Sequence, residues 1–315
     1  MEIKYKKFDT HSHIGVDARH PFISNIEDYV RNAKQNGINR SLLIGVPLPV
    51  YPKEGGIFTP LNWNLSGINF VIASEFVDSD GNLIRGNVEE NPFAESNSLL
   101  ETQVKNNSST DLKLDFVPHV HPLLDTEMHL NETLEKKPLA VKVHGSSWGI
   151  NPKDISPSFF QTLKKYNVPL IVHTDYNQDP QNGRHLIQKM NDPLVWIDLC
   201  QRYGVRASLA HGLRLCQESW KKVSKSGGQF IVGFGPKLDT KQSHRVKTTG
   251  VDYTPALLGM ADLSKLTYDV DFAWNTESYD FLDWTLGDEL IGKVSEDELM
   301  AVYAGNARRF YGGID

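Results

Sequence analysis

Near the start of the chain, in KKFDTHSHIG, Asp9, His11 and His13 occupy alternate positions. Successive side chains of an extended strand point to opposite faces. The spacing therefore predicts one face shared by the carboxylate and both imidazoles, with Phe8, Thr10 and Ser12 on the other. Two imidazoles in His-x-His stand roughly 7 Å apart along a strand. Metal–nitrogen bonds of about 2.0–2.1 Å let both reach one divalent ion. Two hydrogen-bonded histidines at a strand end fit the same spacing, and the dyad alone does not separate the two. Other polar endings to apolar runs follow: His173 in PLIVHTD, His211 in SLAHG, and Asp269 and Asp271 on one face of KLTYDVDF. A carboxylate buried at the end of an apolar strand is costly unless a cation or donors offset its desolvation. Lys142 and His144 share a face of LAVKVHG. FVPHVHP carries a second His-x-His, His119 and His121, read as structural or substrate-lining rather than metal-ligating.

Eight short apolar runs must position these groups: 6–13, 40–46, 114–120, 139–145, 169–175, 206–212, 229–235 and 265–272. Helix-like segments lie between most of them. SNIEDYVRNAKQNG (24–37) opens on a capping Ser and closes on Gly. ISPSFFQTLKKYN (155–167) sets Phe159, Leu163 and Tyr166 on one face. DPLVWIDLCQRYG (192–204) starts Asp-Pro and stops at Gly, and residues 295–312 open with a capping box, Ser295 to Glu298. Eight strands alternating with helices predict an α/β fold, a closed (β/α)8 TIM barrel in one domain over 1–315. Barrel enzymes carry their catalytic groups at the C-terminal ends of the strands, where these polar residues fall. Two long polar stretches, 47–111 after strand 2 and 236–254 after strand 7, read as functional loops on that face. Within the first, FVIASEFV (70–77) looks like an added strand and 93–105 like a helix.

Composition sets bounds. The chain has 315 residues, 39% hydrophobic and 23% charged, as in ordinary enzyme-sized globules. A net charge of -6 disfavours a nucleic-acid partner. The two cysteines, Cys200 and Cys216, fall in helix-like segments and indicate no disulfide framework. No apolar run approaches the length of a membrane span, and the N-terminus lacks the apolar stretch of a signal peptide. The expectation is a cytoplasmic protein with a small-molecule substrate and no membrane partner, with a homodimer as the candidate assembly.

The motifs together resemble those of the amidohydrolase superfamily, the metal-dependent (β/α)8 hydrolases, and most of all the branch of aminocarboxymuconate-semialdehyde decarboxylase. FDTHSHIG resembles the strand-1 D-x-H-x-H signature and LAVKVHG the strand-4 G-x-K-x-H run. VPLIVHTD and ASLAHG resemble the strand-5 and strand-6 histidine motifs. LTYDVDFAWN resembles the strand-8 G-S-D-x-P motif, and YAGNARRFYG the terminal G-N-A-x-R helix. The likeness runs from residue 6 to 312 and is specific for the superfamily, not for a substrate. It departs at strand 8, where V-D-F-A stands for S-D-x-P, and at strand 7, IVGFGPKLD, which lacks the Asp and Ser of many relatives.

The resemblance implies that His11, His13, His173 and Asp271 ligate one metal, Zn2+ before Mn2+ or Fe2+. Asp271 would also take a proton from the attacking water, and His211 would polarise or protonate the substrate oxygen. In binuclear members the strand-4 Lys is carboxylated and bridges two ions. Lys142 would then bridge, with His211 on the second ion; otherwise Lys142 is an inward cation contacting substrate. One metal is expected over two. Asp269 is the competing strand-8 ligand, and Asp9 is expected deeper in the barrel as an orienting partner. Arg85, Arg214 and Lys237 around the site would suit a carboxylated substrate, with Trp148 stacking on a ring. The expected reaction is hydrolysis of an amide, lactone or ester in a small carboxylated molecule. Alternatives are a decarboxylase or hydratase on the same scaffold and a catalytically silent ligand-binding barrel. A deoxyribonuclease of the same superfamily would place a Glu on strand 4, which is absent.

Overall fold

The computed structural model describes residues 5–17, 22–45, 75–77, 83–85, 91, 93–145, 150–174, 191–210, 217–234, 261–272, 292 and 294–312. All eight expected strands form: β1 (Lys7–Asp17), β2 (Ile38–Gly45), β3 (Lys113–Val117), β4 (Val141–Val143), β5 (Leu170–Val172), β6 (Ala207–Leu209), β7 (Phe230–Phe234) and β8 (Leu266–Tyr268). β1, β2 and β3 pair in parallel, as do β4 through β8 in chain order. Backbone bonds join the two sheets. The Val120 amide donates to the Lys142 carbonyl (3.0 Å) and the Lys142 amide to the Pro118 carbonyl (2.9 Å). At the other seam the Asp271 amide donates to the His11 carbonyl (2.7 Å) and the His13 amide to the Phe272 carbonyl (2.5 Å). The eight strands thus close into a (β/α)8 barrel.

Strand alternation sorts side chains between helix layer and barrel axis. Val141 and Val143, Leu170 and Val172, Ala207 and Leu209, Leu266 and Tyr268 pack in the outer core with the helices. Lys142, Ile171, Ser208 and Thr267 are the intervening, inward residues, all buried. A second core fills the lower barrel: Phe8, Leu42, Ile44, Val117, Ile171 and Ile231 meet Ala307, Phe310 and Tyr311 of the terminal helix. An apolar plug therefore closes one mouth and leaves the polar strand ends at the other.

The helices start and stop on local signals. α1 (Ile26–Gln35) is capped by Asn25, whose side chain accepts from the Asp28 amide, so the cap is Asn25 rather than Ser24. Ser24 lies instead in a short strand, Phe22–Ser24, paired antiparallel to the end of β1. α2 (Ala94–Asn107) and α3 (Glu127–Glu135) flank β3. α4 (Pro157–Tyr166) is capped by Ser156 and ended by left-handed Asn167; α5 (Pro193–Tyr203) is capped by Asp192 and ended by Gly204 at φ +67°. Phe159 and Leu163 are buried as expected, each worth about 1.5–3 kcal/mol. α6 (Gln217–Ser224) follows. The expected terminal helix is divided: α7 (Glu296–Met300) opens on the Ser295–Glu298 capping box, a π turn spans Ala301–Gly305, and α8 (Asn306–Tyr311) completes it. Of the expected 70–77 strand, Glu75–Val77 forms and pairs antiparallel with Leu83–Arg85. The expected 93–105 helix forms as α2, while residues 46–74, 78–82, 86–90, 92 and 236–254 lie outside the described residues. No helix among the described residues is long and apolar enough to cross a membrane.

Candidate metal centre

The site begins with an irregularity in β1. Asp9 pairs with Ser41 of β2 and Ser12 with Leu43, so β1 carries one residue more than its partner over this stretch. The bulge overturns the expected common face of Asp9, His11 and His13. Phe8 enters the inner core and Asp9 turns to the helix layer, where its Oδ2 accepts from Tyr29 Oη of α1 (2.6 Å) and Ser12 Oγ (2.5 Å). Its Oδ1 accepts from the Val270 amide (3.0 Å) and the His11 amide (3.2 Å). Asp9 therefore ties β1 to α1 and to the segment after β8. Burial, helped by the nearby Asp269 charge, pushes its carboxyl up to about 6 against these bonds. Asp9 thus meets His11 through the backbone amide and from the helix side, not from the expected position along the barrel axis.

Beyond the bulge, His11 and His13 converge. Their Nε2 atoms lie 2.9 Å apart, and Lys142 Nζ stands 2.9 Å from His11 Nε2. Asp271 Oδ1 lies 3.7 Å from His13 Nε2, and Asp269 Oδ1 faces His11 Nδ1 at 3.4 Å. All five residues are buried. One ligand atom from each of His11, His13 and Asp271 falls within 4.8 Å of the others. Asp271 holds φ +53°, a left-handed conformation that Asp tolerates better than most residues. With its amide on the His11 carbonyl, this turns its carboxylate toward the histidines.

His13 is oriented from behind. Its Nδ1 donates to the Gly45 carbonyl (3.2 Å), which also accepts from His119 Nε2 (2.8 Å). A carbonyl only accepts, so Nδ1 of His13 carries the proton and Nε2 keeps its lone pair. Burial first, then the charges of His11, Lys142 and His119, hold the His13 imidazolium form well below its usual range. The neutral ring is the form that ligates. Two imidazole nitrogens and a carboxylate oxygen, converging and buried, suit Zn2+, Mn2+ or Fe2+. The residues present fit a divalent cation.

Other expected residues are placed as follows. His173, buried after β5, stacks on His144 with ring centroids 3.9 Å apart; it stands outside the group of three. Phe93 at the start of α2 stacks on His119 (4.9 Å) and His121 (6.3 Å), and burial pushes these imidazoles down to about 3 and about 4. The second His-x-His, expected to be structural or substrate-lining, is thus packed against Phe93. His211, Trp148, Arg214, Lys237 and Cys216 lie outside the described residues; for Arg85 only the backbone, in Leu83–Arg85, is described. Cys200 is buried in α5 with its thiol pushed up to about 12. Sequence reasoning missed the Gly45 carbonyl, Tyr29 and Gly233. A glycine inside an apolar strand was the available signal for Gly233.

No family model matches the chain, and no curated protein matches it. Solved structures do. A dihydroorotase from Campylobacter jejuni superposes with a TM-score of 0.60 at 10% identity, covering 98% of this chain and 84% of that one. A dihydropyrimidinase from Brevibacillus agri gives 0.60 at 8% identity, over 98% of this chain and 71% of that one. An uncharacterized TIM-barrel protein from Bordetella bronchiseptica gives 0.59 at 11% identity, over 98% of each chain. At such identities the likeness is one of fold: the chain is a (β/α)8 barrel like these proteins.

Proposed function

We propose that this barrel is a metal-dependent hydrolase of the amidohydrolase type, acting on an amide, lactone or ester of a small carboxylated molecule. The observation that carries the reading is the buried convergence of His11, His13 and Asp271 at the polar end of the barrel. Support comes from the names of structural neighbours, dihydroorotase and dihydropyrimidinase, and from a beta-aspartyl dipeptidase of Fervidobacterium islandicum in complex with a beta-Asp-Leu dipeptide (TM-score 0.53, 11% identity). That last ligand is an amide bearing carboxylates.

In this reading His11, His13 and Asp271 would hold one Zn2+, with His173 as a further ligand. When bound, such an ion supplies Lewis acidity toward an acyl oxygen and makes water more acidic. Asp271 accepts the water's proton at its carboxylate and passes it to the leaving group. Lys142, beside His11, binds the substrate as an inward cation, so one metal serves rather than two. His211 polarises the substrate oxygen, and Arg85, Arg214 and Lys237 hold a substrate carboxylate, with Trp148 on a ring. The whole chain acts as one domain, on a small molecule rather than nucleic acid.

The test is metal content by mass spectrometry, followed by a panel of dihydropyrimidines, lactones and isoaspartyl dipeptides. About one Zn2+ per chain and turnover of a carboxylated amide or lactone are expected. A protein that stays metal-free in zinc-supplemented buffer, or loaded protein inert on the whole panel, would sink the reading.

A further inference from the structure

The second strand-8 carboxylate, Asp269, has a seat of its own. Val232 and Phe234 of β7 pack with the helices, so Gly233 between them faces the barrel axis. A Cβ added at Gly233 would stand 3.3 Å from Asp269 Cβ, 3.1 Å from its Cγ and inside contact distance of Oδ2. The Asp269 carboxylate thus fills the volume that any other residue at 233 would claim. From that seat its Oδ1 faces His11 Nδ1 at 3.4 Å, while His11 Nε2 points into the cluster with His13 Nε2, 2.9 Å away. Asp269 is fully buried, and the titratable groups Asp9 and Tyr311 lie near enough to feel its charge.

We infer that Asp269, seated on Gly233, is a positioning residue that holds the proton of His11 on Nδ1 and so presents the Nε2 lone pair to the metal. The assignment rests on the metal-centre reading above. It gives the two strand-8 carboxylates separate duties: Asp271 ligates, and Asp269 acts through His11. A carboxylate behind a ligating imidazole fixes its tautomer and raises its basicity, and loss of such a partner weakens metal binding roughly 10- to 100-fold.

Three variants test it: Asp269→Gly, Gly233→Ala and the two combined. Zn2+ affinity is read by chelator competition, and the tautomer of His11 by 15N NMR of histidine-labelled, metal-free protein. Each single variant is expected to weaken Zn2+ binding by about 10- to 100-fold. The double variant should bind no worse than Asp269→Gly alone, because the added methyl then enters vacated space. Because Lys142 Nζ, 2.9 Å from His11 Nε2, also favours a proton on Nδ1, the tautomer is read in a Lys142→Met background: there His11 should be protonated on Nδ1, and adding Asp269→Gly should abolish that preference. Unchanged affinity in Asp269→Gly, additive losses in the double variant, or a His11 tautomer insensitive to Asp269 would each overturn the inference. The NMR measurement needs no metal, so it decides the positioning role even if wild-type protein binds no Zn2+ and the functional reading fails.

Discussion

At the scale of single residues, Asp271 combines two demands that separate cleanly. It sits at φ +53° and supplies a carboxylate within 3.7 Å of His13. Asn shares the tolerance of Asp for left-handed backbone, whereas Ala does not. Asp271→Asn should therefore weaken Zn2+ binding at least about tenfold while leaving the metal-free protein within about 1 kcal/mol of wild type; Asp271→Ala should lose binding and an additional ~1 kcal/mol or more of stability. Chelator competition and urea unfolding of the metal-free proteins separate the two. Asp125 makes a second prediction. Burial pushes its carboxyl up to about 7, although Oδ2 accepts from the His121 amide at 2.8 Å. The folded protein thus keeps a proton that the unfolded chain releases near 3.8. Between those values the native state binds more protons, so stability falls as pH rises, by at most about 1.4 kcal/mol per pH unit from this group. Asp125→Asn keeps the acceptor without the charge. It should be more stable than wild type at pH 8, with the difference vanishing toward pH 4 in urea titrations.

At the scale of elements, the terminal helix is the least regular and carries a heavy packing duty. Ala307, Phe310 and Tyr311 plug the lower barrel, and Asn306 Nδ2 donates to the carbonyls of Leu263 and Leu266 (both 2.7 Å), fastening the helix to β8. Its start depends on the capping box: the Glu298 amide donates to Ser295 Oγ (3.3 Å) and the Ser295 amide to Glu298 Oε2 (2.9 Å). Ser295→Ala should cost about 1 kcal/mol of unfolding free energy. Metal stoichiometry should not change, because the box lies at the mouth opposite the metal centre. A loss of bound Zn2+ in that variant, measured on folded protein, would mean that the plug and the site are coupled.

At the scale of the whole molecule, the candidate ligands His11, His13 and Asp271 come from opposite sides of the barrel seam, β1 and the segment after β8. A cation held by these three would therefore cross-link the first and last strands. A ligand specific for the folded state stabilises by mass action, about 2.7 kcal/mol at a concentration 100 times its dissociation constant. Zn2+ should raise the melting temperature of chelator-stripped protein, and His11→Ala with His13→Ala should abolish the rise. An equal rise in that double variant would place the stabilising ion elsewhere. The distribution of cores supports this arrangement. Apolar side chains fill one half of the barrel, so the polar strand ends are confined to the other.

The eight strands, their order and the polar residues that end them were legible in the chain. Alternation, apolar runs, Asn or Gly stops and Ser or Asp caps are local properties carried by adjacent residues. So were His11, His13 and Asp271 as candidates. The facing of Asp9 was not, because the β1 bulge exists only in register against β2, and strict alternation placed that carboxylate on the wrong side. Nor was the division between Asp269 and Asp271. Both have the same parity in YDVDF, and only closure of the barrel brings Asp271 to His13 and sets Asp269 over Gly233 behind His11. The stacking of His173 on His144 likewise depends on the pairing of β4 with β5. Sequence by itself determined which groups reach the strand ends, since that follows from neighbours along the chain. Tertiary structure decided which of them meet and through which atoms, since convergence across the barrel is set by pairing between residues far apart in the chain.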